Sequence, residues 1–227
     1  MSLIVIEGLD GSGKGTQTQR LYEHLQQMGE VRRISFPDYE SPSSSLVKMY
    51  LNGEFGEKPE DVNAYAASAF YAVDRYASFR KKWREEYLRG VLFLADRYTT
   101  SNIVYQLTKL PEEEWESYIR WVEEFEYGKL ELPRPDLVLY LDMPPEVSQK
   151  LLSGRYHGDE SKKDIHERNR QFLEHCRKSA LYAAGLLNWK VIPCAENGEP
   201  RTIEEIESDI ERLVTEATAC WNSTPQK

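Results

Sequence analysis

The sequence predicts an α/β fold of three layers, with a five-stranded parallel sheet flanked by helices on both faces. Three observations point to it. Five short apolar runs recur along the 227 residues, segments with apolar spacings of three and four lie between them, and a glycine-rich turn joins the first run to the first helical segment. Strands buried on both faces read as continuous apolar runs, and parallel neighbours need helical crossovers. An apolar fraction of 40% suffices for a core, and no linker splits the chain, so residues 1–227 read as one domain.

Leu3–Glu7 is the first strand, bounded by Gly8. Lys14 to Met28 is helical, with Leu21, Leu25 and Met28 on one face and Gly29 as its stop. Val31–Ser35 is the second strand. Phe36-Pro37 breaks it, and a Ser- and Pro-rich loop runs to Ser45. Glu60 to Glu86 is a long helix on which Ala66, Ala69, Phe70, Val73 and Ala77 form an apolar stripe that suits core burial and an intersubunit face equally well. Val91–Ala95 and Leu137–Leu141 are strands that end at Asp96 and Asp142, with an acidic helix over Pro111–Glu126 between them. Pro144–Ser153 is a short helix, Gly154–Lys163 a loop, Asp164–Leu187 a helix, Lys190–Pro193 the last strand and Ile203–Ala219 the last helix.

Composition narrows the function. A net charge of −9 and a pI near 5.1 oppose a nucleic-acid-coating role. No apolar run approaches the ~18 residues of a membrane span, and the N-terminus lacks the basic and apolar regions of a signal peptide. Cys176, Cys194 and Cys220 are far apart and form neither a disulfide framework nor a zinc cluster, and His157 and His166 lack partners at metal spacing. These features place the protein in the cytoplasm.

The strongest motif is Gly8-Leu9-Asp10-Gly11-Ser12-Gly13-Lys14-Gly15-Thr16, which follows a strand and opens a helix. Gly11 and Gly13 let backbone N–H groups turn toward a polyphosphate, the helix adds its positive end, and Lys14 reaches the β- and γ-phosphates of ATP. The fold is thus of the P-loop NTPase type. Gly15 stands where such loops usually carry a hydroxyl for magnesium, so Mg²⁺ falls to phosphate oxygens, water and a carboxylate, Asp10 or Asp96. A guanine-reading Asn-Lys pair is missing, which excludes a switch GTPase, and Gly13-Lys14-Gly15-Thr16-Gln17 instead resembles the loop of nucleoside monophosphate kinases.

Further along, Asp96-Arg97 ends a strand, where ligands bind in open α/β sheets, and an Arg there can hold a monophosphate bidentately. Tyr71 and Arg75, four residues apart, put a ring and a cation on one helix face. Asn102 can donate to and accept from a base edge. In order, Phe36-Pro37-Asp38-Tyr39, Asp74-Arg75, Asp96-Arg97-Tyr98, Ser101-Asn102 and Tyr105-Gln106 resemble thymidylate kinases, from Leu3 to about Arg212.

That resemblance implies phosphorylation of dTMP by ATP with Mg²⁺. It implies that Tyr71 stacks on thymine, Arg75 holds base and phosphate, and Arg97 positions the acceptor phosphate. By the same resemblance Tyr105 crowds the sugar 2′ position, Asp10 meets the 3′-hydroxyl, and Phe36, Tyr39, Ser101, Asn102 and Gln106 complete the acceptor pocket. Asp38 departs from relatives with an Arg after Phe-Pro. Arg155–Lys163 resembles the family lid, with Arg155 as the catalytic cation beside Lys14 and Arg97, Lys162 as its substitute, and Asp164 and Glu167 following. A homodimer is also implied. Two rival readings stay open: another nucleoside monophosphate or deoxynucleoside kinase, and a nucleotide-binding protein without turnover.

Overall fold

The computed structural model describes residues 2–56, 58–155 and 170–223. Its centre is a five-stranded sheet made of β1 (Leu3–Gly8), β2 (Val31–Ser35), β3 (Leu92–Asp96), β4 (Leu137–Asp142) and β5 (Lys190–Pro193), in spatial order β2-β3-β1-β4-β5. Every pairing is parallel, with Val5 opposite Ala95 on one side and Val138 on the other. All five strand expectations hold to within about a residue at each end.

The sheet divides the core by parity. Leu3, Val5, Phe93, Ala95, Val138 and Tyr140 enter an aromatic-rich layer with Phe79, Trp83, Tyr118 and Trp189. Ile4, Ile6, Leu94, Leu139 and Leu141 enter the opposite, aliphatic layer with Leu21, Leu25, Ile206 and Ile210. Side chains alternate faces along a strand, so the charged residue that ends each central strand inherits a face. Glu7 follows Leu3 and Val5, Asp142 follows Val138 and Tyr140, and Asp96 follows Leu94 onto the other side.

The helices are α1 (Lys14–Met28), α2 (Ser45–Leu51), α3 (Ala64–Ser78), α4 (Arg84–Leu88), α5 (Thr100–Gln106), α6 (Trp115–Val122), α7 (Pro145–Arg155), α8 (Arg170–Leu187) and α9 (Ile203–Ser223). The Asn63 side chain caps α3 by accepting from the Ala66 N–H at 2.9 Å. Thr202 and Glu205 form a reciprocal cap on α9, with hydrogen bonds of 3.2 and 2.9 Å.

Several elements differ from expectation. The long helix starts at Ala64, not Glu60, and a π segment (Phe79–Trp83) separates α3 from α4. A second π segment (Glu123–Lys129) extends α6. The helices α2 and α5 and a hairpin of β6 (Ala195–Glu196) with β7 (Glu199–Pro200) were not legible in the apolar pattern. The stripe on α3 is only partly covered: Ala66 and Phe70 are half-buried against a small cluster of Tyr50, Val62 and Ala67; Ala69 and Ala77 are half-buried; and Val73 is 48% exposed, while the fully buried α3 residues include Ala64, Ala67, Ala72 and Arg75. α7 runs through Gly154 and Arg155, two residues past its expected end, and residues 156–163 of the expected loop lie outside the described residues, as do Asp164–Asn169 and both His157 and His166. No helix among the described residues is long and apolar enough to cross a membrane.

Burial holds the phenols of Tyr98, Tyr105, Tyr118, Tyr127 and Tyr140 above their ordinary pKa. The unfolded chain releases these protons near pH 10 while the native chain retains them, so stability is present below pH 10 and falls as pH rises above it. We expect the unfolding free energy from urea denaturation to fall above pH 10, with each such tyrosine contributing up to ~1.4 kcal/mol per pH unit. Phenolate absorbance at 295 nm should appear with unfolding for these groups; their titration in the folded protein would contradict it.

Candidate active site

The loop from Leu9 to Gly13 turns the chain from β1 into α1. Gly11 and Gly13 adopt φ of 79° and 80°, where a side chain would be strained, and Gly13 precedes α1 directly. Gly8 is required for close approach, because a Cβ there would stand 2.7 Å from Ser12 Oγ and 3.2 Å from the Leu141 carbonyl. Asp10, Gly11, Ser12, Gly13, Lys14, Gly15, Thr16, Leu9 and Leu151 line a cavity of about 550 Å³. The Ser12 hydroxyl is buried with no partner among the described residues, and Thr16 is exposed at the first turn of α1. Lys14 Nζ lies 3.1 Å from Asp96 Oδ1, so the ammonium is held at the end of β3 beside the cavity.

A second cavity, of about 140 Å³, opens alongside and shares Asp10 with the first. All ten residues expected in an acceptor pocket line it: Asp10, Phe36, Tyr39, Tyr71, Arg75, Arg97, Ser101, Asn102, Tyr105 and Gln106. Pro37, Leu51 and Tyr98 complete the wall, and the Phe36-Pro37 bond is cis. The pocket therefore gathers residues from β1, β2, β3, α2, α3 and α5 or the turns that follow them.

Its cations are held by buried carboxylates. Arg97 takes a φ of 64°, uncommon for a residue with a side chain, just past the end of β3. Its guanidinium bonds Asp10 at 2.7 Å and Glu7 at 3.2 Å and lies over the Tyr105 ring, 5.2 Å from the centroid. Burial opposes the charge, but Tyr105, Asp10, Glu7 and Asp96 outweigh it and hold the Arg97 pKa well above its ordinary value. Glu7 is fully buried and also accepts from Thr100 Oγ1 and Ser101 Oγ, each at 2.7 Å, and from the Gly8 N–H at 2.9 Å. Tyr105 Oη stands 3.4 Å from Asp10. Burial raises the Tyr105 phenol well above its usual range, so it is a neutral hydroxyl at physiological pH.

Arg75 is not a free cation. Its Nε and one terminal nitrogen donate to Glu126, both at 2.6 Å, and the other terminal nitrogen donates to the Tyr98 carbonyl at 3.3 Å. Burial disfavours its charge, and Glu126 more than restores it. Tyr71 sits one turn earlier on α3, and burial raises its phenol pKa too. Phe70 points elsewhere, packing on Tyr50 and Phe55 outside the pocket. The loop after β2 is fastened from below: Asp74 accepts from the Asp38 N–H at 2.7 Å and Ser43 Oγ at 2.6 Å, and Asp38 pairs with Lys82. Asp38 thus stands as a partner for a cation where the resemblance expected a cation. The side chain of Arg155, the last residue of α7, and Lys162 lie outside what is described.

Few described side chains stand ready to hold a magnesium ion near the first cavity. Among the described residues no three His, Cys, Asp or Glu side chains group into a cage. Space around Gly15 is open, since a Cβ there meets nothing within 4 Å, and Asp96 presents one carboxylate beside Lys14. One carboxylate with phosphate oxygens and water is a coordination that Mg²⁺ commonly accepts.

Glu7 and Glu126 escaped the sequence reading. Glu7 carried a signal, a lone charge closing an apolar strand, which in a sheet covered on both faces demands a partner. Glu126 carried none: in the acidic run Glu123, Glu124, Glu126 it looks solvated, and only the π segment turns it inward to full burial.

A glycine-rich loop of P-loop form beside a second, arginine-lined pocket, on a parallel sheet with this strand order, defines a P-loop nucleoside monophosphate kinase. The family model described as thymidylate kinase matches residues 6–210. The thymidylate kinase of Danio rerio is 30% identical, covering 93% of this chain and 89% of its own length. That of Mycobacterium tuberculosis strain H37Rv is 31% identical over 80% of this chain and 84% of its own. The solved structure of thymidylate kinase from Candida albicans shares the fold, with a TM-score of 0.70 at 22% identity and coverage of 96% of this chain and 92% of that one. The chain belongs to the thymidylate kinase family.

Replacing Glu7 tests the buried carboxylate. Glu7→Leu takes one of two carboxylates from Arg97, leaves two hydroxyls and the Gly8 N–H without their acceptor, and should lower unfolding free energy by about 3–5 kcal/mol. Glu7→Gln, which keeps the shape and one acceptor, should cost about 1–3 kcal/mol. Urea denaturation measures both; a Leu variant as stable as the parent would show that Arg97 does not depend on Glu7.

Proposed function

We propose that the protein transfers the γ-phosphoryl group of ATP to dTMP, giving ADP and dTDP. The observation that carries this reading is the shared wall: Asp10 lines both the phosphate-loop cavity and the pocket holding Tyr71, Arg75, Arg97, Asn102 and Tyr105. Two ligands seated in adjoining cavities can meet in line across it.

In this reading the N–H groups of Gly11 to Lys14 cradle the β-phosphate of ATP. Lys14 exchanges part of its contact with Asp96 for the γ-phosphate. Arg97 exchanges its contact with Asp10 for the acceptor phosphate while Glu7 keeps the guanidinium in place. Phosphoryl transfer spreads negative charge over the moving group, so fixed cations lower the barrier without reorganising. Asp96 or Asp10, with phosphate oxygens and water, would hold Mg²⁺, which would supply further positive charge to the triphosphate. The acceptor is already an anionic oxygen, so no general base is required of the protein.

Tyr71 offers a face for thymine, Arg75 and Asn102 meet the base edge, Tyr105 fills the space beside the sugar, and Asp10, once released by Arg97, accepts from the 3′-hydroxyl. Phe36, Tyr39, Ser101 and Gln106 close the pocket. The segment 154–163 is assigned the lid, with Arg155 as the cation that reaches the donor phosphates. The protein acts as one domain.

We expect a coupled ADP-release assay with ATP and Mg²⁺ to show turnover of dTMP, weaker turnover of dUMP and little of dCMP, dGMP, AMP or thymidine. Lys14→Met should reduce kcat by about 10²–10³. Preference for another acceptor would sink the roles of Tyr71, Asn102 and Tyr105; binding of ATP without any turnover would favour the non-catalytic rival.

We also propose a homodimer formed through the outer face of α3, where Val73, Tyr65 and Tyr76 are exposed. Sedimentation should give a dimer at micromolar concentration and a folded monomer for Val73→Glu. A monomeric parent protein would contradict this.

A further inference from the structure

Beneath the acceptor pocket lies a polar cluster sealed from solvent. Glu126, Arg75 and Asn102 are each no more than 2% exposed. An isolated carboxylate so deep would be strongly disfavoured, and this one is satisfied entirely by donors that belong to the pocket wall. Glu126 accepts from Arg75 Nε and a terminal Arg75 nitrogen, both at 2.6 Å, and its Oε1 also accepts from Asn102 Nδ2 at 2.7 Å. Asn102 Nδ2 gives its second N–H to the Ser68 carbonyl at 3.2 Å.

The consequence is a fixed polarity. An amide has two N–H groups and one carbonyl. Both N–H groups of Asn102 are spent on Glu126 and Ser68, so Oδ1 is the amide atom left for the cavity that Asn102 lines. The orientation is unambiguous, because both partners of Nδ2 are acceptors only. Arg75 has five N–H groups, of which three are engaged by Glu126 and Tyr98; those remaining are donors. The wall therefore presents an acceptor from Asn102 and donors from Arg75. A base edge with a carbonyl beside an N–H complements that pair, and an edge with an amino group beside a bare ring nitrogen opposes it at both positions.

We infer that Glu126 is a positioning residue that sets which base edge the pocket accepts, by locking the Asn102 amide and the Arg75 guanidinium in one donor–acceptor arrangement. This rests on the proposed dTMP kinase activity and adds to it a residue that touches no substrate. Glutamine at this site could accept on only one atom: with its N–H₂ at the Oε2 position it faces Arg75 Nε, donor against donor, and with its N–H₂ at the Oε1 position it faces both Arg75 and Asn102. The first arrangement breaks the two-point hold on the guanidinium, and the second leaves the Asn102 amide held by Ser68 alone.

The test compares dTMP with 5-methyl-dCMP, which carries the same methyl group and sugar phosphate and differs only in the edge read by Arg75 and Asn102. The unsubstituted enzyme should favour dTMP in kcat/KM by at least about 100-fold. Glu126→Gln and Glu126→Asp should each shrink that ratio by at least about tenfold, whatever they do to thermal stability. Variants that lose stability or activity but keep the ratio would overturn the inference, since a merely structural role lowers both substrates alike. A measurement on the unsubstituted protein guards against variants that do not fold. The Arg75 Nε–H resonance should be protected from exchange with water before any nucleotide is added, and rapid exchange there would overturn the lock. Absence of dTMP turnover in the unsubstituted enzyme would defeat the functional reading, and the inference with it. Turnover with an unmoved ratio would defeat the inference alone.

Discussion

Charge at the carboxyl end of the sheet must be met by opposite charge at close range, and the rest of the site follows from that constraint. Carboxylates close all three central strands at or beside their last residue. Glu7 meets Arg97, Asp96 meets Lys14, and Asp142 meets Arg177 in a bidentate pair at 2.6 and 2.8 Å. Away from water such groups interact strongly, but removing them from water is itself costly, so each pair survives only with good geometry and further hydrogen bonds. Glu7 supplies the clearest case, with four donors around one carboxylate.

This arrangement has a functional side. A phosphoryl-transfer site needs cations already in place, because reorganising them during reaction would raise the barrier. Free cations around an empty pocket would repel one another and wander. Arg97 and Lys14 instead rest against carboxylates that hold them at the mouth of the two cavities, and Arg75 is held from behind by Glu126. Asp10 is 31% exposed at its side chain where Glu7 is fully buried. In the proposed reading, substrate displaces Asp10 from Arg97 without loosening the guanidinium's second anchor.

Much of this was legible in the residues. The five strands and the turn into α1 follow from apolar runs and glycine placement, because buried parallel strands and phosphate loops leave strong local marks; the ten residues that line the second cavity were named through the resemblance in ordered motifs. The missing parts lack such marks. The short helices α2 and α5 are placed by packing rather than by an apolar period. The two π segments arise from one extra residue in a turn, which no spacing announces, and one of them carries Glu126 into the interior. The α3 stripe left two readings open because an apolar face marks burial of some kind without saying whether core or partner covers it. Glu7 alone could have been found beforehand, from the parity of its strand.

The most direct test of the central claim is a crystal structure of the protein with dTMP bound. The account predicts Arg97 still bonded to Glu7 and Arg75 still bonded to Glu126, with Asp10 replaced on Arg97 by phosphate oxygens. A bound structure in which either guanidinium has left its buried carboxylate to reach the nucleotide would contradict it.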